Sequence, residues 1–115
     1  MSDSCLFCRI VRGEIPAALV YESERCVAFR DINPQAPTHV LVIPREHLAS
    51  LAEAREDHEA LLGHLLVTAA RVARDGGLAG SGYRTVINTG AGAGQSVFHL
   101  HVHLIGGRPL TWPPG

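Results

Sequence analysis

The chain has no lysine: all ten of its basic residues are arginine. Set against eleven acidic residues they leave a net charge of −1, so the charge balance calls for neither nucleic acid nor an anionic membrane as partner. No apolar run is long enough to cross a bilayer and no signal-peptide pattern opens the chain, so a cytoplasmic protein is expected. Repeats, blocks of like charge and low-complexity linkers are missing, and 115 residues fit one domain with one modest core. Three cysteines are an odd number, two of them in Cys5-x-x-Cys8, which fits a reducing compartment better than a disulfide scaffold. The arginine-only basic set, with many alanines and glycines, fits a GC-rich coding sequence and carries no mechanism.

The pattern of apolar residues predicts an α+β domain. Residues 4–12 read as a short helix, with Leu6, Phe7, Ile10 and Val11 at helical spacing and Gly13 closing it. Residues 19–22 and 26–32 read as strands joined by the tight turn Ser23-Glu24-Arg25. Pro34 and Pro37 make a loop, and residues 38–43 form a β-branched third strand ended by Pro44. Ser50 and Glu53 have capping-box spacing. The main helix is expected over residues 56–74, with Leu61, Leu62, Leu65, Leu66, Ala69, Val72 and Ala73 as its buried stripe and Asp75-Gly76-Gly77 as its end. Strands four and five are expected over residues 83–88 and 97–105. Hairpins with a single long helix imply a five-stranded antiparallel sheet covered by that helix.

The densest chemistry lies in His99-Leu100-His101-Val102-His103-Leu104-Ile105. In an extended strand the three imidazoles emerge on one face and Leu100, Val102 and Leu104 on the other. Such a face concentrates groups that carry protons, attack electrophiles or bind metals at neutral pH; the plainer alternative is an ordinary half-exposed strand. Upstream, residues 88–96 form a polar, glycine-rich loop whose backbone N–H groups, with Gln95 and Ser96, suit a phosphate held beside a nucleophile. A nucleophilic imidazole must be neutral, with its other ring nitrogen donating to an acceptor.

Asn88, then Ala93-Gly94-Gln95-Ser96-Val97-Phe98 running into the histidines, resembles the signature of the histidine triad (HIT) nucleotide-binding superfamily. Residues 31–39 (Asp-Ile-Asn-Pro-Gln-Ala-Pro-Thr-His), 41–45 (Leu-Val-Ile-Pro-Arg) and the ending Trp112-Pro113-Pro114-Gly115 resemble its Hint branch, over nearly the whole chain. The resemblance implies a single HIT domain over residues 1–115 that hydrolyses the P–N bond of adenosine or guanosine 5′-monophosphoramidates through a nucleotidyl-His101 intermediate. It implies that His101 is the nucleophile and His103 a donor to the phosphate. Ser96 and the N–H groups of Gly94 to Ser96 would stabilise its charge, Gln95 would orient it, and His39 would relay a proton. It places Asp31 on the ribose hydroxyls, Phe7, Ile10, Phe29 and Ile32 on the base, and Asn88 on sugar or phosphate. From the residues alone, the alternatives are a packed strand histidine for His39, an Asx turn for Asp31 and plain core for the apolar set. The resemblance also implies a homodimer in which the tail, residues 106–115, carries Trp112 to the neighbour's site. A tail this short cannot fold alone, so its large ring must dock on its own subunit or a partner. Two other classes stay open: a dinucleoside polyphosphate hydrolase, and a nucleotide-binding regulatory protein with incidental catalysis.

Cys5-x-x-Cys8 is half of a zinc site by spacing. Some HIT relatives complete it with residues that match His47 and His99 here, which implies structural zinc on Cys5, Cys8, His47 and His99; a free thiol pair and a redox dithiol are the alternatives. No cofactor is required for catalysis, and no carboxylate cluster converges on the phosphate loop to call for magnesium. Cys26 reads as a small core residue, and His58 and His64 as solvent-facing positions of the main helix.

Overall fold

The computed structural model describes residues 4–115. Five strands form one antiparallel sheet: β1 (Leu19–Glu22), β2 (Cys26–Arg30), β3 (Thr38–Pro44), β4 (Tyr83–Val86) and β5 (Val102–Gly106), in the spatial order β1-β2-β3-β5-β4. A short helix α1 (Leu6–Val11) precedes β1, and the long helix α2 (Glu59–Asp75) links β3 to β4. The α+β class, the five antiparallel strands and both helices are as the sequence predicts.

Period-two alternation divides the apolar residues between two faces. On one face Cys26 and Ala28 of β2, Val40 and Val42 of β3, and Leu100, Val102 and Leu104 meet Leu65, Ala69 and Ala73 of α2. On the other, Val27 and Phe29 of β2 and Leu41 and Ile43 of β3 pack with Phe7 of α1. A helix of six residues has no stability of its own. Its place therefore depends on Phe7 and on what its two cysteines bind.

Several boundaries and faces differ from expectation. The β5 ladder begins at Val102 rather than 97, because the groups that would extend it are already engaged: His99 Nε2 sits 2.9 Å from the Pro44 carbonyl, and the Leu100 N–H donates to Leu48. The alternation of side chains nevertheless continues through residues 99–101, so Leu100 joins the core. β2 stops at Arg30, and the Asp31 carboxylate accepts from the Asn33 N–H at 2.8 Å in an Asx turn. Leu66 is exposed and Thr68 takes a place in the buried stripe, within 3.5 Å of the Cys26 thiol. Neither His58 nor His64 faces open solvent. His58 Nδ1 accepts from the Arg55 N–H at 2.9 Å ahead of α2, and His64 Nε2 lies 3.0 Å from the Ser23 hydroxyl in the β1–β2 turn. Ser50 caps its turn through the Ala52 N–H.

The tail is tied through Arg108, which donates to the Gln35 carbonyl, and Arg84, which donates to the Thr111 carbonyl. Trp112 itself remains 82% exposed, so the ring does not dock on its own chain.

Leu65 is 1% exposed at the centre of the α2–sheet core. Leu65→Ala is expected to lower unfolding stability by about 2–5 kcal/mol, read from the denaturant midpoint at unchanged slope.

Candidate functional site

α1, the end of β2, the loop after β4 and the start of β5 enclose a cleft of about 290 Å³. Phe7, Ile10, Phe29, Asp31, Ile32, Ser96, His101 and His103 all line it, so most of the predicted nucleotide set converges on one place. Ile32 projects fully exposed at its rim. Leu6, Ile15, Pro16, Ala17 and Leu41 complete an apolar wall. The segment 15–17 has no periodic pattern, so nothing in the sequence marked it. Asn88, Gly94, Gln95, His39 and Trp112 lie outside the lining.

Hydrogen-bond direction assigns a proton to one nitrogen of each ring. The backbone N–H of Gln35 donates to His39 Nδ1 at 3.0 Å, so in the neutral ring Nε2 carries the hydrogen. His39 Nε2 lies 2.9 Å from His103 Nδ1 and 3.4 Å from an Asp31 carboxylate oxygen. His103 Nδ1 therefore accepts and its Nε2 carries the hydrogen. That N–H is buried, has no partner among the described residues, and belongs to a ring that lines the cleft. A buried orphan donor of this kind calls for an acceptor. His101 is set the opposite way: its Nδ1 lies 2.7 Å from the His99 carbonyl and must donate, which leaves the lone pair on Nε2. The rings of His101 and His103 stand 4.9 Å apart, so a bare nitrogen and an N–H donor belong to neighbouring rings that line one apolar cleft.

Burial keeps these rings neutral. It pushes His103 down to about 4, with the neighbouring His101 and His39 adding to the shift and Asp31 opposing it. Burial also lowers His101, against the pull of the His99 carbonyl and Asp31. At neutral pH both are free bases.

The loop between β4 and β5 is held by Gln95, whose side chain is buried. Its carbonyl accepts from the Gly90 N–H at 2.8 Å, and its amide donates to the carbonyls of Ala49 at 2.8 Å and Val97 at 3.1 Å. Both polar atoms of the Gln95 side chain are thus engaged in shaping the loop. Gly94 sits at φ +94°, a left-handed conformation that favours glycine. Ser96 follows, exposed and lining the cleft.

A second constellation lies behind the histidines. Cys5, Cys8, His47 and His99 present one donor atom each, all within 4.8 Å of one another. His99 Nδ1 is 3.4 Å from both sulfurs and His47 Nδ1 is 3.2 Å from Cys8. A tetrahedral zinc ion separates nitrogen and sulfur ligands by about 3.6 Å, so the donors are already near that spacing. His99 Nε2 faces the Pro44 carbonyl at 2.9 Å, which fixes the tautomer with Nδ1 bare toward the thiols, as a metal ligand requires. The Asp31, His39 and His103 group also clusters three donors, but it fails the same test. Its central His39 already accepts at Nδ1, so a metal on Nε2 would demand an imidazolate.

The comparisons agree with this architecture. The HIT domain family matches residues 12–110. This chain belongs to the HIT domain family. A HIT-like protein of Synechococcus elongatus is 58% identical over 115 residues, covering the whole of both chains. A 14 kDa zinc-binding protein of Zea mays is 54% identical over 112 residues, covering 96% of this HIT domain chain and 87% of the maize protein. The crystal structure of a HIT family hydrolase from Legionella pneumophila superposes with a TM-score of 0.95 at 51% identity, covering 96% of this chain and 99% of that one.

The lowered pKa of His103 carries a stability signature for this HIT domain. Its folded value, about 4, lies below the ordinary 6.5, so between these two pH values the unfolded chain binds the extra proton. The stabilisation is complete above about pH 6.5, is lost as the pH falls toward 4, and levels off below that. Denaturant titrations across this range, with zinc present throughout, are expected to show a shallower acid loss in His103→Gln than in the wild type.

Proposed function

We propose that this HIT domain is a purine nucleoside phosphoramidase of the Hint kind. The observation that carries the reading is the pairing of a bare His101 Nε2 with the unpartnered Nε2–H of His103 on the lining of an apolar cleft. His101 attacks the phosphorus of a nucleoside 5′-phosphoramidate, a P–N bond forms to its ring, and the substrate's P–N bond breaks. The departing amine takes a proton through His103, Ser96 or the His39 relay, which draws one from solvent in turn, so that no ring is left an imidazolate. Water then cleaves the nucleotidyl-His101 bond to give the nucleoside monophosphate. His103 Nε2–H, Ser96 and the loop N–H groups offset the charge on the phosphate oxygens.

Phe7, Ile10, Phe29 and Ile32 hold the base between apolar surfaces, which fits tolerance of both adenine and guanine. Asp31 keeps one oxygen on the Asn33 N–H and turns the other toward His39, so its reach to the ribose hydroxyls runs through that second oxygen. The Legionella relative's description as a hydrolase supports the reaction class.

In the same reading Cys5, Cys8, His47 and His99 hold a structural zinc ion, supported by their spacing and by the name of the maize relative. Four protein ligands would leave such an ion no open position, so it would hold the chain and bind no substrate. The exposed Trp112 supports a homodimer in which each tail covers the neighbour's site. No helix among the described residues is long and apolar enough to cross a membrane, which is compatible with the cytoplasmic placement proposed here.

The test is hydrolysis of a fluorogenic adenosine 5′-phosphoramidate by wild type and by His101→Ala of verified fold. Turnover in the wild type and a loss of at least about a thousandfold in the variant are expected. A zinc-loaded, folded wild type without turnover contradicts the reading.

A further inference from the structure

The four-donor centre and the cleft are not separate. His99 Nδ1 faces the two thiols and Nε2 faces the Pro44 carbonyl, so its ring is fixed at both ends and fully buried. The carbonyl of this same residue accepts the Nδ1–H of His101 at 2.7 Å. A second connection runs through α1. Phe7 lies between Cys5 and Cys8, and its ring stands edge-on to His101 with centroids 5.2 Å apart at 88°. The ring also meets His99 at 6.0 Å and Phe29 at 5.6 Å. His101 is therefore held from the main chain of one donor residue and from the side chain lodged between two others.

We propose that the Cys5, Cys8, His47 and His99 centre positions the His101 imidazole, through the His99 carbonyl and the Phe7 ring, so that zinc occupancy sets both its tautomer and its aim. The inference rests on the zinc and phosphoramidase readings above and goes further, because an ion that only held the chain together, with no path to the cleft, would leave the state of His101 unchanged. The physical case is one of leverage. α1 is too short to persist without its anchors, and the Cys5 and Cys8 positions straddle the residue that backs His101. Releasing the centre frees the Phe7 wall and the His99 main chain together. His101 then loses the acceptor that holds its proton on Nδ1 and the ring that blocks its rotation. His39 and His103 take their tautomers from the Gln35 N–H, outside this path, and serve as internal controls.

The experiment reads histidine tautomers by long-range proton–nitrogen NMR, without substrate, on zinc-loaded protein, chelator-stripped protein and zinc-loaded Phe7→Leu. Loaded wild type is expected to show one zinc per chain and a single Nδ1–H tautomer at His101. Stripped protein is expected to show mixed His101 tautomers while His39 and His103 stay unchanged. Phe7→Leu is expected to retain its zinc, to show the same loosening at His101, and to lose at least about tenfold in kcat. Ile10→Ala, on the same helix and cleft but behind no catalytic ring, is expected to raise KM and to leave the His101 tautomer single.

Absence of bound zinc overturns the inference, as does a His101 tautomer that stays single in folded, stripped protein. If stripping unfolds the chain, Phe7→Leu decides alone. Because the tautomer readout needs no substrate, failure of the phosphoramidase reading shows only in the turnover assay and leaves this test intact.

Discussion

Burial of Leu100, Val102 and Leu104 against α2 is the constraint on which the site depends. The three side chains are essentially inaccessible, and exposing them would forfeit several kcal/mol of apolar burial. With alternate residues committed to that face, the intervening histidines have no choice but the other. A one-residue slip in register would send the imidazoles into the hydrophobic core and the leucines into the cleft. The core thus enforces the chemistry of the opposite face without touching it.

Hydrogen-bond direction then gives each histidine a separate task. The Gln35 N–H settles His39, His39 settles His103, the His99 carbonyl settles His101, and the Pro44 carbonyl settles His99. Four rings of one residue type become a bridge to a neighbouring ring, an unpartnered donor, a bare nitrogen and a ring whose Nδ1 faces two thiols. Burial keeps His99, His101 and His103 neutral, which makes their assignments stable at neutral pH. In the proposed mechanism this is preorganisation: the groups that must donate or accept in the transition state are already set in the free protein.

The sequence displayed much of this because its strongest signals are local. The alternation of histidine with leucine and valine, the proline-bounded strands and the periodic α2 stripe all follow from short-range geometry, and the fold agrees with them. What was illegible depended on contacts between distant segments. The early end of the β5 ladder comes from a side chain, His99, taking the Pro44 carbonyl. Gln95 looked like a ligand contact, but its amide is consumed by Gly90, Ala49 and Val97. His58, just ahead of α2, and His64, on α2, read as solvent-facing yet find partners in Arg55 and Ser23. The grouping of His47 with Cys5, Cys8 and His99 came from family resemblance, since no rule of spacing connects residues so far apart, and their distances now support it. For Asp31 the Asx turn is present, and it leaves the second carboxylate oxygen for the ribose contact proposed above.

The central claim is that His101 Nε2 is the attacking atom. Its most direct test is to mix the protein with less than one equivalent of an adenosine phosphoramidate, quench in base within the first turnover, and sequence the histidine-bearing peptide by mass spectrometry. The account predicts a covalently bound nucleoside monophosphate on His101 and on no other residue. Turnover with no covalent species at any quench time, or a nucleotide carried by His99 or His103, would contradict it.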